Sequence, residues 1–390
     1  MSPLANSYLS AEQLNRMEPF YPLRVYVCEA CLLVQLEAFE TPESIFGDYA
    51  YFSSYSDSWL RHARAYAEMA IDRFALGSAS RVVEVASNDG YLLQYFVERG
   101  IPVLGIEPAA NVARVAIEQG IPSLVRFFGQ PTARDLAADG TRADLLIGNN
   151  VLAHVPDLND FVAGLKIVLA PGGVITMEFP HLARLMAENQ FDTIYHEHFS
   201  YFSLIAVRRV FAYHGLTIFD VEELPTHGGS LRIFARHTED GSHPVGERVV
   251  ELLAREEQAG YTRLEHYLAF GEQVKATKRK LLRFLGQAKD AGLRIVAYGA
   301  PAKGNTLLNY CGAGTDVIDF TVDRSPHKQG LFLPGTHIPI RTPEAIRELQ
   351  PDYVLILPWN LREEIVEQMA FVREWGGRFV VPIPEVTVLA

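Results

Sequence analysis

Two histidines, a glutamate and two tyrosines stand within nine residues, Thr193-Ile-Tyr-His-Glu-His-Phe-Ser-Tyr201. So dense a set of titratable side chains suits proton chemistry. In an extended segment His196 and His198 share one face, and Tyr195 and Glu197 the other. Three readings fit the residues. His-x-His is a common metal-ligand pair, although no Asp-His or Cys cluster nearby completes a site. A polar turn held by its own hydrogen bonds needs no function at all. A general base is the third: imidazole, with an unperturbed pKa of about 6.5, moves protons near neutrality. A neighbouring carboxylate then fixes its tautomer and stabilises the imidazolium.

A second constellation lies upstream. Val82-Val-Glu-Val-Ala-Ser-Asn-Asp-Gly90 runs a strand into a tight turn, and a helix begins near Tyr91. Glu84 sits near the strand end, Asp89-Gly90 makes the turn, and the next strand ends at Glu107. Ligands of open α/β sheets bind outside the carboxyl ends of the strands. Acidic residues at two successive strand ends suit a ligand with hydroxyls and an amino group, whereas a pyrophosphate favours several close glycines at a helix N-terminus. The dinucleotide pattern G-x-G-x-x-G is absent here. The spacing instead resembles motif I of class I S-adenosylmethionine (SAM) methyltransferases, acidic-x-Gly-x-x-x-Gly, with Ala86 where the first glycine usually stands. That resemblance implies SAM contacts from Glu84, Ala86, Ser87, Asn88, Asp89 and Gly90. It also implies a ribose contact from Glu107, Phe128 beside the adenine, and Asn149 and Asn150 at the methionine end.

The elements that must position these residues alternate. Strands are expected at Val82–Val85, Val103–Ile106, Leu145–Ile147 and Val174–Phe179, with helices beginning near Tyr91, Ala109 and Leu158. Such alternation implies right-handed crossovers and a parallel sheet. Residues 58–76 have helical apolar spacing. Strands are also expected at Thr217–Glu222 and Ser230–Phe234. Residues 236–245 read as a linker, and 247–290 as a long charged helical stretch. A second α/β series follows, with strands at Arg294–Tyr298, Val317–Val322, Tyr353–Leu357 and Phe379–Val381. Upstream, Val25–Val27 and Leu32–Leu36 form two short strands around Cys28-Glu-Ala-Cys31.

Composition narrows the class. The 390 residues carry 35 Lys+Arg against 47 Asp+Glu, a net charge of −12, which argues against a nucleic-acid partner. No apolar run reaches the ~18–20 residues of a membrane span. The opening Met-Ser-Pro-Leu-Ala-Asn lacks the features of a signal peptide. Three cysteines cannot build a disulfide framework, which suits a cytoplasmic setting.

Taken together, Pro3-Leu-Ala-Asn6, Cys28-x-x-Cys31, Val83–Leu93, Asn149–Pro156, Tyr195–Tyr201, Pro225-Thr-His-Gly-Gly-Ser-Leu231 and Tyr298-Gly-Ala-Pro-Ala-Lys-Gly-Asn305 resemble the nucleotide-sugar C-methyltransferases. The resemblance is strongest to the sugar C-3 methyltransferases of deoxysugar and antibiotic pathways, and it covers nearly the whole chain. It implies an α/β fold of three parts. Residues 1–57 would form a small zinc-ribbon-like domain, incomplete here; 58–240 a Rossmann-like SAM domain; and 241–390 a second Rossmann-like domain for the nucleotide sugar. The implied reaction is SAM-dependent C-methylation next to the ketone of a nucleotide-linked 4-keto sugar, of the dTDP type.

Residue by residue, the resemblance makes His198 the base or its partner, supported by Glu197. Tyr195 and His154 would stabilise the enolate, and Tyr49 would join them from the N-terminal part. Tyr51, His227, Gly299, Lys303 and Asn305 would meet the substrate, with Lys303 in a loop able to receive a diphosphate. The turn at His227-Gly-Gly and the loop at Gly299–Asn305 can equally be plain connections. A zinc site made only of cysteines needs two pairs; Cys28 and Cys31 are one, and Cys311 is remote. Two rival functions are an NAD-dependent sugar-nucleotide oxidoreductase and a non-catalytic nucleotide-sugar binder. The first lacks a glycine fingerprint in either sheet. The second has little need for a cluster of titratable groups.

Overall fold

The computed structural model describes residues 1–43 and 53–389. Tyr49 and Tyr51 lie outside them. The chain divides into two units. One gathers Met1–Tyr26, Leu182–His198 and Arg263–Ala390; the other comprises Val27–His181 and Phe199–Thr262.

Strands β1 (Val25–Val27) and β2 (Val34–Leu36) flank the cysteine turn as expected. In the larger unit the short β-branched runs become β3 (Val82–Val85), β4 (Val103–Ile106), β5 (Ser123–Leu124), β6 (Ala143–Asn149) and β7 (Leu169–Pro180). β8 (Ser200–Tyr201) pairs antiparallel with β2. β9 (Leu216–Leu224) and β10 (Ser230–His237) close the series as a hairpin. The sheet order is β5-β4-β3-β6-β7-β10-β9; β3 to β7 are parallel, and β10 is antiparallel to both neighbours. This is the Rossmann-like sheet of class I SAM methyltransferases. The order reverses at β3, so a crevice opens where β3 and β6 end. Val82 to Val85 are all buried, as parallel strands covered on both faces must be.

The helix Asp57–Phe74 starts on Ser56, whose hydroxyl accepts the Trp59 amide, and buries Ala63, Tyr66, Ala67 and Ala70. The charged stretch at 247–290 is two helices rather than one, Glu247–Ala259 and Leu264–Asp290. Gly260 separates them in a left-handed cap at φ 103°, a conformation glycine adopts without penalty.

The other unit carries β11 (Ile295–Tyr298), β12 (Thr321–Val322), β13 (Ile340–Arg341), β14 (Tyr353–Ile356), β15 (Arg378–Val381) and β16 (Thr387–Leu389). Their order is β13-β12-β11-β14-β15-β16, parallel except for β16. No described helix is long and apolar enough to cross a membrane.

Candidate functional site

β3 delivers its turn with Ala86, Asn88 and Gly90 all at positive φ (57°, 51° and 82°). At Gly90 the positive φ favours glycine, and a Cβ there would lie 2.4 Å from Ile121 Cδ1, so any other residue would strain the turn and displace that side chain. Glu107, just past β4, braces this turn: Oε2 accepts the Asn88 amide at 3.0 Å and Oε1 the Ala109 amide at 2.8 Å. A carboxylate has about four acceptor positions, so two are left for outside hydroxyls. Burial pushes the Glu107 pKa up, and these two amides oppose the rise.

The Asn88 side chain accepts the Ser53 amide at 2.9 Å, and Asp89 Oδ2 accepts the amide and hydroxyl of Ser54 at 3.0 and 2.6 Å. Other polar atoms here are buried with no hydrogen-bond partner among the described residues: Ser87 Oγ and both amide atoms of Asn149. Burial drives the Glu84 pKa well above the usual carboxylate range, with the Tyr91 hydroxyl opposing. Buried polar groups left this way cost about 1–3 kcal/mol each, so such a cluster calls for a polar ligand. Acceptors for hydroxyls and an amino group, at the carboxyl ends of adjacent parallel strands, fit SAM.

Asn150 follows at φ 53° and donates its amide to the Glu178 carbonyl at 2.7 Å. His154, half-buried, ends a short 3-10 turn whose Ala153 carbonyl accepts the Phe199 amide at 2.7 Å. Phe128 packs edge-on against Phe161 at 5.3 Å.

Sequence reading missed a polar network at the end of β7. Glu178 is fully buried; Arg232 Nη2 donates to it at 2.7 Å, His62 Nε2 lies 2.9 Å away, and the Thr226 hydroxyl donates at 2.9 Å. Burial alone would raise the Glu178 pKa, but His62 and Arg232 overcome it and hold the carboxyl at about 2. Trp59 stacks on His62 at 4.9 Å and on Tyr91 at 5.9 Å, and meets His227 edge-on at 5.0 Å. His227 is at φ 55° in the connection between β9 and β10. The signal was present: Trp59 and His62 are one helical turn apart, and Glu178 and Arg232 are charged residues set between apolar neighbours in their strands.

In the other unit, residues 195–198 form a turn closed by the His198 amide on the Tyr195 carbonyl at 2.9 Å. The segment is thus a turn, and the alternation of faces that an extended chain would give does not apply. The turn forms because that bond satisfies the backbone locally. His198 Nδ1 donates to the Thr193 carbonyl at 3.1 Å, which fixes the tautomer whose lone pair is on Nε2. The Tyr195 ring lies 4.2 Å from the imidazole, centroid to centroid. Glu197 Oε1 accepts the Asn6 side-chain amide at 2.7 Å. Burial raises the Glu197 pKa, and Asn6 opposes the rise. His196 is turned to the Pro22 carbonyl at 3.2 Å and to the Tyr21 ring.

The loop after β11 bends at Gly299, φ 90°, where a Cβ would lie 2.5 Å from Pro358 Cδ. Lys303 is in the first turn of the helix Ala302–Cys311; its Nζ donates to Asn360 Oδ1 at 2.8 Å and lies 4.4 Å over the Trp359 ring. Trp359 Nε1 donates to Asp192 Oδ2 at 2.8 Å, and burial pushes the Asp192 pKa up to about 6. Asn305 is buried and donates to the Ala5 carbonyl at 2.6 Å. No group of three or more His, Cys, Asp or Glu able to hold a metal ion occurs among the described residues. Cys28 and Cys31 supply two thiols; the Cys31 backbone amide, and then its thiol, hydrogen-bond to Cys28 and lower the Cys28 pKa, while burial raises that of Cys31. Two thiols alone do not make a four-ligand zinc site.

Family models match along the whole chain: "Putative zinc binding domain" over residues 1–46, "Methyltransferase domain" over 59–221 and "C-methyltransferase C-terminal domain" over 225–384. The C-methyltransferase NovU of Streptomyces niveus is 39% identical over 392 aligned positions, covering 100% of this chain and 92% of that protein. A ubiquinone biosynthesis O-methyltransferase of Cereibacter sphaeroides is 31% identical over 98 residues, 24% of this chain and 39% of that enzyme. Among solved structures, a magnesium protoporphyrin IX methyltransferase from Synechocystis with bound SAH aligns at 15% identity and TM-score 0.35, covering 45% of this chain and 82% of that one.

Proposed function

From the premise that this chain belongs to the C-methyltransferase family and is a SAM-dependent enzyme, we propose that its substrate is a nucleotide-linked 4-keto deoxysugar. The sugar is carried on a dTDP-type nucleotide and is methylated at the carbon next to the ketone, C-3. The unit holding Glu84, Asn88–Gly90, Glu107 and Asn149 binds SAM. The unit holding Lys303 and Asn305 receives the nucleotide. Deoxysugar and antibiotic biosynthesis is the setting such a product suits.

The observation that carries the reading is the imidazole of His198. With Nδ1–H committed to the Thr193 carbonyl, Nε2 is the nitrogen able to take a proton. A carbon acid beside a ketone reacts only after its proton leaves. His198 removes that proton, and the C–H electron pair passes into the enolate. Tyr195 donates a hydrogen bond to the enolate oxygen, a preorganised donor contributing about 3–4 kcal/mol in a water-poor site. SAM, when bound, supplies an electrophilic methyl on its sulfonium. The enolate carbon takes that methyl as the methyl–sulfur bond breaks, leaving S-adenosylhomocysteine, and no oxidant is consumed. Glu197 holds negative charge beside the imidazolium that forms.

The test is mass analysis of a panel of keto sugar nucleotides incubated with the protein and SAM. One member should gain a single methyl group on carbon. A panel left unmethylated by protein that binds SAM would overturn the substrate reading.

A further inference from the structure

The Pro3–Asn6 stretch has no role in the chemistry above, yet its neighbours carry it. Asn6 Nδ2 donates to Glu197 Oε1 at 2.7 Å, across 191 positions of sequence. One residue before, the Ala5 carbonyl accepts Asn305 Nδ2 at 2.6 Å. Two residues after, the Tyr8 hydroxyl donates to the Ala300 carbonyl, which Lys328 Nζ also reaches at 2.8 Å. All these residues lie in one unit. Ala5, Glu197 and Asn305 are buried, whereas Asn6 is exposed and reaches inward to Glu197 through a part-buried bond.

We propose that Asn6 is a positioning residue for Glu197, set in a short N-terminal brace that joins the catalytic turn to the loop Gly299–Asn305. This rests on the proton-abstraction reading above. A buried carboxylate that loses a donor is held less firmly in direction and in its charged form. A side-chain amide at 2.7 Å both fixes its direction and favours its charged form. Because the neighbouring residues of the same segment hold the loop, the carboxylate and the loop share one support.

Among the described residues, the titratable groups beside Glu197 include Tyr195, His196 and His198 on its own turn and Tyr8 on the brace. Tyr8 feels the charges of both Glu197 and Asp323. With the donor removed, the Glu197 pKa climbs further. The acidic limb of kcat/KM should then move to higher pH.

The experiment compares Asn6→Ala and Asn6→Asp with the wild type on the keto sugar nucleotide that the wild type methylates. A wild type that methylates none defeats the underlying reading and this one together. With an active wild type, Asn6→Ala should lower kcat roughly 10–100-fold, the scale of a misplaced catalytic group. KM for both substrates should stay within about threefold, and the acidic limb should rise by about one pH unit. Asn6→Asp keeps the shape and loses the N–H donors, so it reads the same effect on kcat if Asn6→Ala does not fold. Near wild-type kcat with an unmoved acidic limb in the folded variants would overturn the proposal. A raised KM for the sugar nucleotide at unchanged kcat would overturn it too, leaving a brace that serves binding only.

Discussion

Ala86 carries a Cβ in a left-handed backbone, φ 57°, where the related motif usually has glycine. Such a conformation costs about 1–2 kcal/mol for a residue with a Cβ. Glycine would relieve it while giving back about 0.4–1 kcal/mol of unfolded-state entropy. Ala86→Gly should therefore stabilise the protein by about 0.5–1 kcal/mol in denaturant unfolding; a loss of stability would contradict the strain. Glu107 makes the opposite case. Its two amide bonds hold the turn, and its remaining acceptors are assigned to the ribose. Glu107→Ala removes charge-assisted bonds worth about 1.5–3 kcal/mol each. SAM affinity by calorimetry should fall at least tenfold, whereas an unchanged dissociation constant would remove Glu107 from the site. Glu84, Asp89, Gly90 and Glu107 were legible because strand, turn and helix follow one another locally. The ties of Asn88 to Ser53 and of Asp89 to Ser54 were not, since a hydrogen bond across 35 residues leaves no local pattern.

Three adjacent strands place Glu178, Arg232 and Glu222 side by side, for Arg232 stands opposite Glu178 in β7 and Glu222 in β9. Arg232 reaches both carboxylates, at 2.7 and 3.1 Å. Removing one member of a buried pair strands the other's charge, at about 3–5 kcal/mol. Glu178→Gln should lower unfolding stability by that order, read from urea transitions. The pH dependence has a definite sign. The folded pKa, about 2, lies below the unfolded value of about 4.3. The contribution is thus full above the unfolded value and is lost as pH falls toward about 2. Wild type should lose this stability in acid, and Glu178→Gln should lack that component. Most elements here were legible from short apolar runs and helical spacing. The two-residue strands β5, β8 and β13 were not, because alternation needs more than two residues to show, and the strand expected over Val317–Val322 is confined to Thr321–Val322. The break at Gly260 was written in the sequence, but charge on both sides of it reads as one continuous helix.

The N-terminal segment and the second sheet belong to one unit, although almost three hundred residues of sequence separate them; composition and spacing carry no trace of such an association. What was legible at this scale was the pair of α/β sheets, since each announces itself by its own strand–helix alternation. Lys303 tests the division of labour between the units. Its ammonium is oriented by Asn360 and the Trp359 ring, and burial lowers its pKa while Asp192 opposes the fall. Lys303→Ala should raise KM for the sugar nucleotide and leave SAM binding unchanged; lost SAM binding with normal sugar affinity would reverse the assignment. The central claim is that carbon methylation begins with proton removal by His198. The direct measurement is deuterium uptake in deuterated water, without SAM, at the carbon next to the ketone. The wild type should exchange that position, and His198→Ala should exchange it roughly 10²–10⁴ more slowly while still binding both ligands. If His198→Ala exchanges and methylates at near wild-type rates, the base is not His198 and the account of the proton is wrong.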